Sequence, residues 1–319
     1  MHTRRVRVRA GRRRSVCLAT LCAALSACAP ARWVSDGPGE SRTYRVRGNA
    51  TLHDVAQHFH LGYLEVVAAN PGVDPWMPGE DTHVVLPAVH LPPSAPREGI
   101  VVNLADMRLY HYVDGQPEHS YAIGIGREGL STPLGNTTIV RKVKDPTWRP
   151  TPRMRREDPA LPAEVPPGPG NPMGTRSLYF GWTPYAIHGT NKPLGVGRRV
   201  SSGCLRMYNE DIEALFEQVD VGTKVAIVDE PINLAWIDGE LFMQAHPTLE
   251  QSAALQAGGS IAATLTEDIA DQVRVAAEGA VERLDWDVIG TLARERRGYA
   301  VRITRPAPIA STNIATATP

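Results

Sequence analysis

The chain has 319 residues, of which 42% are apolar, 21% charged and 6% aromatic, enough apolar content for a buried core and a length that suggests about two domains. It holds no run of about 18 uncharged apolar residues, which excludes a polytopic membrane protein. Basic and acidic residues balance at 34 each, but seven arginines and no acid fall within residues 1–27. The remainder is net −7 and has no electrostatic reason to seek nucleic acid or anionic lipid.

The N-terminus reads as an export address. Arg4, Arg5, Arg7, Arg9, Arg12, Arg13 and Arg14 form a positive region, and the apolar run Val16–Ala27 that follows is too short for a permanent span. It ends in Leu25-Ser26-Ala27-Cys28, which looks like a lipoprotein box with Cys28 as the acylated residue. An ordinary signal peptide cut after Ala27 and an uncleaved anchor are the alternatives. Arg13-Arg14 admits the twin-arginine route beside the general one. Because Ala29-Pro30 and no aspartate follow Cys28, resemblance to Gram-negative sorting rules implies an outer-membrane lipid anchor facing the periplasm. The four cysteines are Cys17, Cys22, Cys28 and Cys204. Processing at Cys28 leaves Cys204 as the one thiol in an oxidising compartment, without a disulfide partner or a metal cluster.

Residues 28–42 are small and polar, a tether. Residues 43–87 predict a β-α-α-β unit. Tyr44-Arg45-Val46 alternates as a strand, and Thr51-Leu52-His53-Asp54 has capping-box spacing ahead of the helical stripe Leu52, Val55, Ala56 and Phe59. A second short helix fits Tyr63–Ala69, closed by Asn70-Pro71-Gly72, and His83–Leu86 returns as a strand. The unit resembles the LysM domain through Tyr44-x-Val46-x-Gly48, Thr51-Leu52, Val55-Ala56, Asn70-Pro71 and Gly79, although Asn49 stands where the family usually has Asp and Ala50 is inserted. That resemblance implies binding to glycan strands of peptidoglycan; a degenerate spacer is the alternative.

Residues 88–98 form a Pro-rich linker. Residues 99–229 are dominated by predicted strands: Ile100–Leu104, Met107–Tyr112, Tyr121–Ile125, Thr137–Val140, Ser177–Phe180, Tyr185–Ile187 and Val225–Val228. One helix stands out, capped by Asn209 and carrying the stripe Ile212, Leu215, Phe216 and Val219. Asp145–Pro172 contains nine prolines, a composition typical of disorder. Its place between two core strands argues instead for an ordered lid. Residues 230–305 are expected to form a helical appendage, with a capping box at Thr264–Glu267 and a further helix around Trp286, Ile289 and Leu292. Residues 306–319 are a small, polar tail.

The chemistry concentrates in two segments. Ala186-Ile187-His188-Gly189-Thr190 places a histidine where a strand ends at a glycine. Sixteen residues after His188 comes Cys204, within Ser201-Ser202-Gly203-Cys204-Leu205-Arg206-Met207 and just ahead of the capped helix. A thiol becomes a good nucleophile once a nearby imidazole or positive charge assists its deprotonation. A histidine and a cysteine alone are weak grounds, since ten histidines are present.

The local sequence is more specific: it resembles the L,D-transpeptidase (YkuD-type) catalytic domain. Thr132-Pro133-Leu134-Gly135, Trp148-x-Pro150-Thr151-Pro152 and Asn171-Pro172-Met173-Gly174 belong to the same resemblance, which covers about residues 99–229. Ser202 stands where the family often has His, and Arg206 where it has Asn or Arg. The implied fold is mostly β with minor α, a mixed β-sandwich with a helix beside the cysteine loop. The implied reaction is attack by Cys204 on the bond between meso-diaminopimelate and D-alanine of a tetrapeptide stem. His188 would be the base, the Gly189 carbonyl its orienting group, and backbone N–H groups around Ser201, Ser202, Gly203 and Cys204 the oxyanion site. Arg206 would anchor a stem carboxylate or be structural. No metal or organic cofactor is required. The acceptor would be a diaminopimelate amine of another stem or the Lys side chain of a Braun-type lipoprotein. Water as acceptor, giving a carboxypeptidase, and a non-catalytic LysM lipoprotein are the competing readings.

Overall fold

A computed structural model describes residues 42–261 and 265–305. Cys28, the export segment and the tail 306–319 lie outside the described residues. The N-terminal unit consists of β1 (Arg42–Arg45), α1 (Leu52–His58), α2 (Tyr63–Ala69) and β2 (His83–Leu86). Thr51 starts α1 as expected: its hydroxyl accepts from Asp54 N at 3.1 Å while its own N–H donates to Asp54 Oδ2 at 2.8 Å. β1 and β2 pair antiparallel, and Leu52, Val55, Val66 and Val84 fill the space beneath them.

The next stretch gives β3 (Gly99–Asn103), β4 (Arg108–Val113), β5 (Gln116–Ala122), β6 (Ile125–Gly126), β7 (Gly135–Lys144) and α3 (Pro152–Glu157). β8 (Arg176–Phe180), β9 (Ala186–His188), β10 (Arg199–Ser201), β11 (Leu205–Arg206), α4 (Asn209–Gln218) and β12 (Lys224–Val228) complete it. Eight of these strands form one sheet in the order β11-β9-β8-β7-β12-β3-β4-β5, antiparallel except for the β3–β12 and β9–β11 pairs. The sheet curls. Gly124, two residues beyond β5, exchanges both backbone hydrogen bonds with Arg206 of β11, at 2.8 and 2.9 Å, which brings the two ends of the strand order together. Ile100, Leu109, Ile139, Leu178 and Ile187 fill the interior, and Ile212 and Leu215 of α4 close it. The N-cap position of α4 falls on Tyr208, one residue before the expected Asn209, and its side chain makes no capping bond.

The C-terminal region is helical only in part. α5 (Leu249–Gln256), α6 (Glu267–Ala277) and α7 (Trp286–Glu295) accompany a three-stranded antiparallel sheet of β13 (Ile232–Ile237), β14 (Glu240–Ala245) and β15 (Val301–Arg302). The hairpin has a sequence signal that the helical expectation passed over: Asp238-Gly239, both at positive φ (51° and 77°), the geometry of a type I′ turn. α6 is capped by Thr266, two residues after the expected Thr264.

The N-terminal unit and the stretch 88–98 are packed into the rest of the molecule. α2 is buried on two sides: Val66 faces the small N-terminal core, while Tyr63 and Leu64 join the core of the curled sheet. The linker residue Leu91 is fully buried, with Gln244 Oε1 accepting from its N–H at 2.7 Å and its carbonyl accepting from Asn233 Nδ2 at 2.9 Å. Beneath α2 lies a buried ionic knot. Glu65 accepts from Arg108 Nη1 at 3.0 Å and from Gly62 N at 2.8 Å, and it also meets His90. Burial pushes the Glu65 carboxyl up, but Arg108, His90 and the Gly62 N–H together outweigh burial and hold it at about 2.

Candidate active site

β9 ends at His188, and β11 runs parallel beside it with Arg206 opposite His188. The Met207 N–H donates to the His188 carbonyl at 2.9 Å, so the backbone ladder continues past His188. Between β10 and β11 the chain makes the tight loop that carries Cys204. Ser201 Oγ accepts from Gly203 N at 3.0 Å and donates to the Cys204 carbonyl at 2.6 Å. Thr132, from the Thr-Pro-Leu-Gly motif, accepts from Gly126 N at 3.1 Å and donates to the Gly203 carbonyl at 3.0 Å. Gly203 sits at φ +101°, and a Cβ there would lie 2.5 Å from the Tyr185 ring. Only glycine fits.

His188 is buried, and its Nδ1 lies 2.6 Å from the Gly189 carbonyl oxygen. A carbonyl only accepts, so the neutral ring carries its proton on Nδ1 and leaves Nε2 as the acceptor. Burial lowers the imidazole to about 4, the Arg206 charge adding to that effect and the Gly189 bond opposing it. Burial pushes the partly buried Cys204 thiol up, against the Ala186 N–H and the Arg206 charge. Near neutral pH the resting pair is therefore a thiol and a neutral imidazole. The Cys204 sulfur lies 3.8 Å from the Pro184 carbonyl oxygen. Burial also lowers the Arg206 guanidinium, whose Nε is buried with no hydrogen-bond partner in the structure.

His188, Cys204, Ser202 and Arg206 share one cleft of about 540 Å³. Its roof is the proline-rich segment 145–172, which is ordered. Trp148 and Val165 exchange backbone hydrogen bonds at 2.9 Å, and the fully buried Asn171 donates to the carbonyls of Pro146, Val165 and Pro166 at 2.7, 3.0 and 3.0 Å. Thr151 caps α3, and Arg153 on that helix donates to Ser202 Oγ at 2.7 Å. Trp148, Thr151 and Met154 face the cleft from above, and Arg141 and Tyr179 from the side.

The structure thus brings His188, Gly189, Ser201, Ser202, Gly203, Cys204 and Arg206 together. The Gly203 N–H is committed to Ser201 inside the loop, which removes it from the group of N–H donors expected to face a substrate. One residue read in the sequence as a helix cap does something else. Asn209 Oδ1 accepts from Thr190 N at 3.1 Å, and its Nδ2 donates to the Thr190 carbonyl at 3.0 Å. Its amide is wedged where a Cβ on Gly189 or on Gly174 would come within 2.2 and 2.1 Å of it. The described residues contain no group of three or more His, Cys, Asp or Glu side chains able to hold a metal ion.

Residues 97–227 match the model of the YkuD family, the L,D-transpeptidase catalytic domain. Among curated proteins, "Probable L,D-transpeptidase ErfK/SrfK" of Escherichia coli strain K12 is 42% identical over 225 residues, covering 68% of this chain and 72% of that protein. "Probable L,D-transpeptidase YbiS" of the same strain is 44% identical over 226 residues, covering 68% of this chain and 74% of its own. "Probable L,D-transpeptidase YcfS", also of that strain, is 41% identical, covering 67% and 70%.

Proposed function

The chain belongs to the L,D-transpeptidase family, and from that premise we propose that Cys204 is the acyl-carrying nucleophile, His188 its base and a peptidoglycan tetrapeptide stem the donor. The observation that carries the assignment is the Nδ1 bond to Gly189, which presents a free Nε2 lone pair in the cleft that also holds the thiol. Because the thiol is pushed up and the imidazole is held near 4, the proton moves during attack and not before it. Sγ bonds to the diaminopimelate carbonyl carbon as its proton passes to Nε2. The D-alanine nitrogen then leaves with that proton, and a thioester remains. An acceptor amine attacks the thioester, gives its proton to His188, and restores the thiol. The N–H groups of Ser202 and Cys204, with Gly203 already engaged, would stabilise the oxyanion. Arg206, a half-buried cation with an unpartnered Nε, would meet a stem carboxylate.

Three finer readings accompany this one. The acceptor is a diaminopimelate amine or a lipoprotein Lys side chain. The N-terminal unit holds the enzyme on glycan, with the half-exposed Trp76 stacked on Tyr63 as an aromatic platform. Acylation at Cys28 places the enzyme at the periplasmic face of the outer membrane.

Purified enzyme given tetrapeptide muropeptides, with and without a Lys-ending peptide, tests the assignment by mass spectrometry of products. Cys204→Ser should abolish D-alanine release, and His188→Ala should lower it by about 10²–10⁴-fold. A ring-opened carbapenem should add to Cys204 of the wild type. A Cys204→Ser enzyme working at the wild-type rate would overturn the assignment.

A further inference from the structure

The N-terminal unit touches the catalytic domain at one functionally sensitive point, the first turn of α4. His60 Nδ1 lies 2.8 Å from Asp211 Oδ1, and its ring meets the Tyr208 ring edge-on at 5.8 Å. The Tyr208 hydroxyl donates to the Leu61 carbonyl at 3.0 Å. Tyr208 and Asp211 are both buried, at 3% and 2% exposure. Between them in sequence stands Asn209, whose amide clamps Thr190 and wedges between Gly189 and Gly174. Gly189 supplies the carbonyl that fixes the His188 ring.

His60 itself sits at φ +54°, a left-handed conformation that glycine or asparagine adopts at lower cost. The end of α1 needs a residue of that geometry but not an imidazole. The imidazole makes its contacts across the interface, with Asp211 and Tyr208. The charged groups facing it are Asp211 and Glu210, which raise it, the hydrogen bond to Asp211 being the larger effect; burial opposes them.

We propose that His60 and Tyr208 are positioning residues: the N-terminal unit clamps the first turn of α4, and Asn209 in that turn passes the constraint to Gly189 and so to the orientation of the His188 ring. The unit would then be part of the transpeptidase machinery whether or not it binds glycan. The inference rests on the assignment of His188 as base.

The test uses full-length enzyme with His60→Ala, His60→Asn, Tyr208→Phe and Asn209→Ala, and three measurements. The first is steady-state D-alanine release, the second the pH dependence of Cys204 alkylation by iodoacetamide, and the third the melting temperature. His60→Ala and Tyr208→Phe should each lower kcat about tenfold with KM for the stem little changed, and should shift the acid limb of alkylation. His60→Asn, which keeps an amide near the Nδ1 position and tolerates positive φ, should recover most of the loss. In an Asn209→Ala background, His60→Ala should cost almost nothing more, because both act on one path. Wild-type kcat and an unshifted alkylation profile in His60→Ala and Tyr208→Phe, whatever their melting temperatures, would overturn the inference; so would fully additive effects of His60→Ala and Asn209→Ala. Tyr208→Phe removes one hydroxyl and keeps the test open if His60→Ala misfolds. Failure of the catalytic assignment is separately visible: His188→Ala would then react like wild type, whereas failure of the clamp alone leaves His188→Ala inactive and His60→Ala active.

Discussion

The floor of the cleft rests on paired strands and short hydroxyls: His188 and Arg206 lie opposite one another on β9 and β11, and the Ser201 hydroxyl ties the Ser201–Cys204 loop to its own backbone. The roof, residues 145–172, has one backbone pair, Trp148 with Val165, and otherwise relies on long side chains, Asn171 from within and Arg153 reaching to Ser202. Backbone ladders tolerate little displacement, so β9 and β11 hold His188 and Arg206 in a fixed register. Side-chain ties are individually worth about 0.5–1.5 kcal/mol, so the roof can adjust to what it covers.

The contrast can be broken most sharply at Gly203. Gly203→Ala puts a Cβ against the Tyr185 ring at a positive φ, and acylation by a carbapenem should fall by more than about 10²-fold even where the protein still folds. Thr132→Val removes the hydroxyl joining Gly126 to the Gly203 carbonyl; it should cost about 1–3 kcal/mol in denaturant unfolding, and kcat should fall about tenfold. In the roof, Asn171→Ala should leave three carbonyls without their donor. Limited proteolysis should then cut within 145–172, with KM raised several-fold and kcat nearly kept. Arg153→Ala should raise KM only about twofold and leave the melting temperature unchanged within error. The smallest effect expected is that of mild acid. His188 is neutral above about 4, so alkylation relative to thiol reactivity should change less than about twofold between pH 7 and 5, then fall as the ring protonates below about 4. An acid limb centred near 6.5 would mean that the ring is far more solvated than its burial implies.

The floor was legible in the sequence because its parts are contiguous: Ser-x-Gly-Cys is one short loop, and His188 falls at a strand end that alternation reveals. The roof was legible as an ordered segment only from its position between strands. The residue holding it, Asn171, bonds to carbonyls up to 25 residues away, which no local pattern encodes. Asn209 shows the same limit more plainly. An asparagine before an acidic first turn reads as a cap, and only the fold reveals that Thr190, 19 residues back, takes both ends of its amide. The burial of Leu91 was hidden for a similar reason, since a Pro-rich stretch looks like a spacer until Gln244 and Asn233 are found beside it. The hairpin at Asp238-Gly239 is different in kind: its turn signal was present, and helical periodicity further along masked it.

The position of β12 bears on how the enzyme is made. This strand, formed from Lys224–Val228, is inserted between β3 and β7, so the middle of the eight-stranded sheet is the part of the catalytic domain synthesised last. Until it emerges, the β3-β4-β5 meander and the β7-β8-β9 meander are linked through the Gly124–Arg206 bridge and the β6–β10 pair but not through the middle of the sheet. Sheet closure then depends on contacts between residues 99–103 and 224–228, a separation that places the domain among slow, topologically late folders. A chain stopped before Lys224 retains His188 and Cys204 beside the paired strands β9 and β11, and lacks the strand that joins β7 to β3.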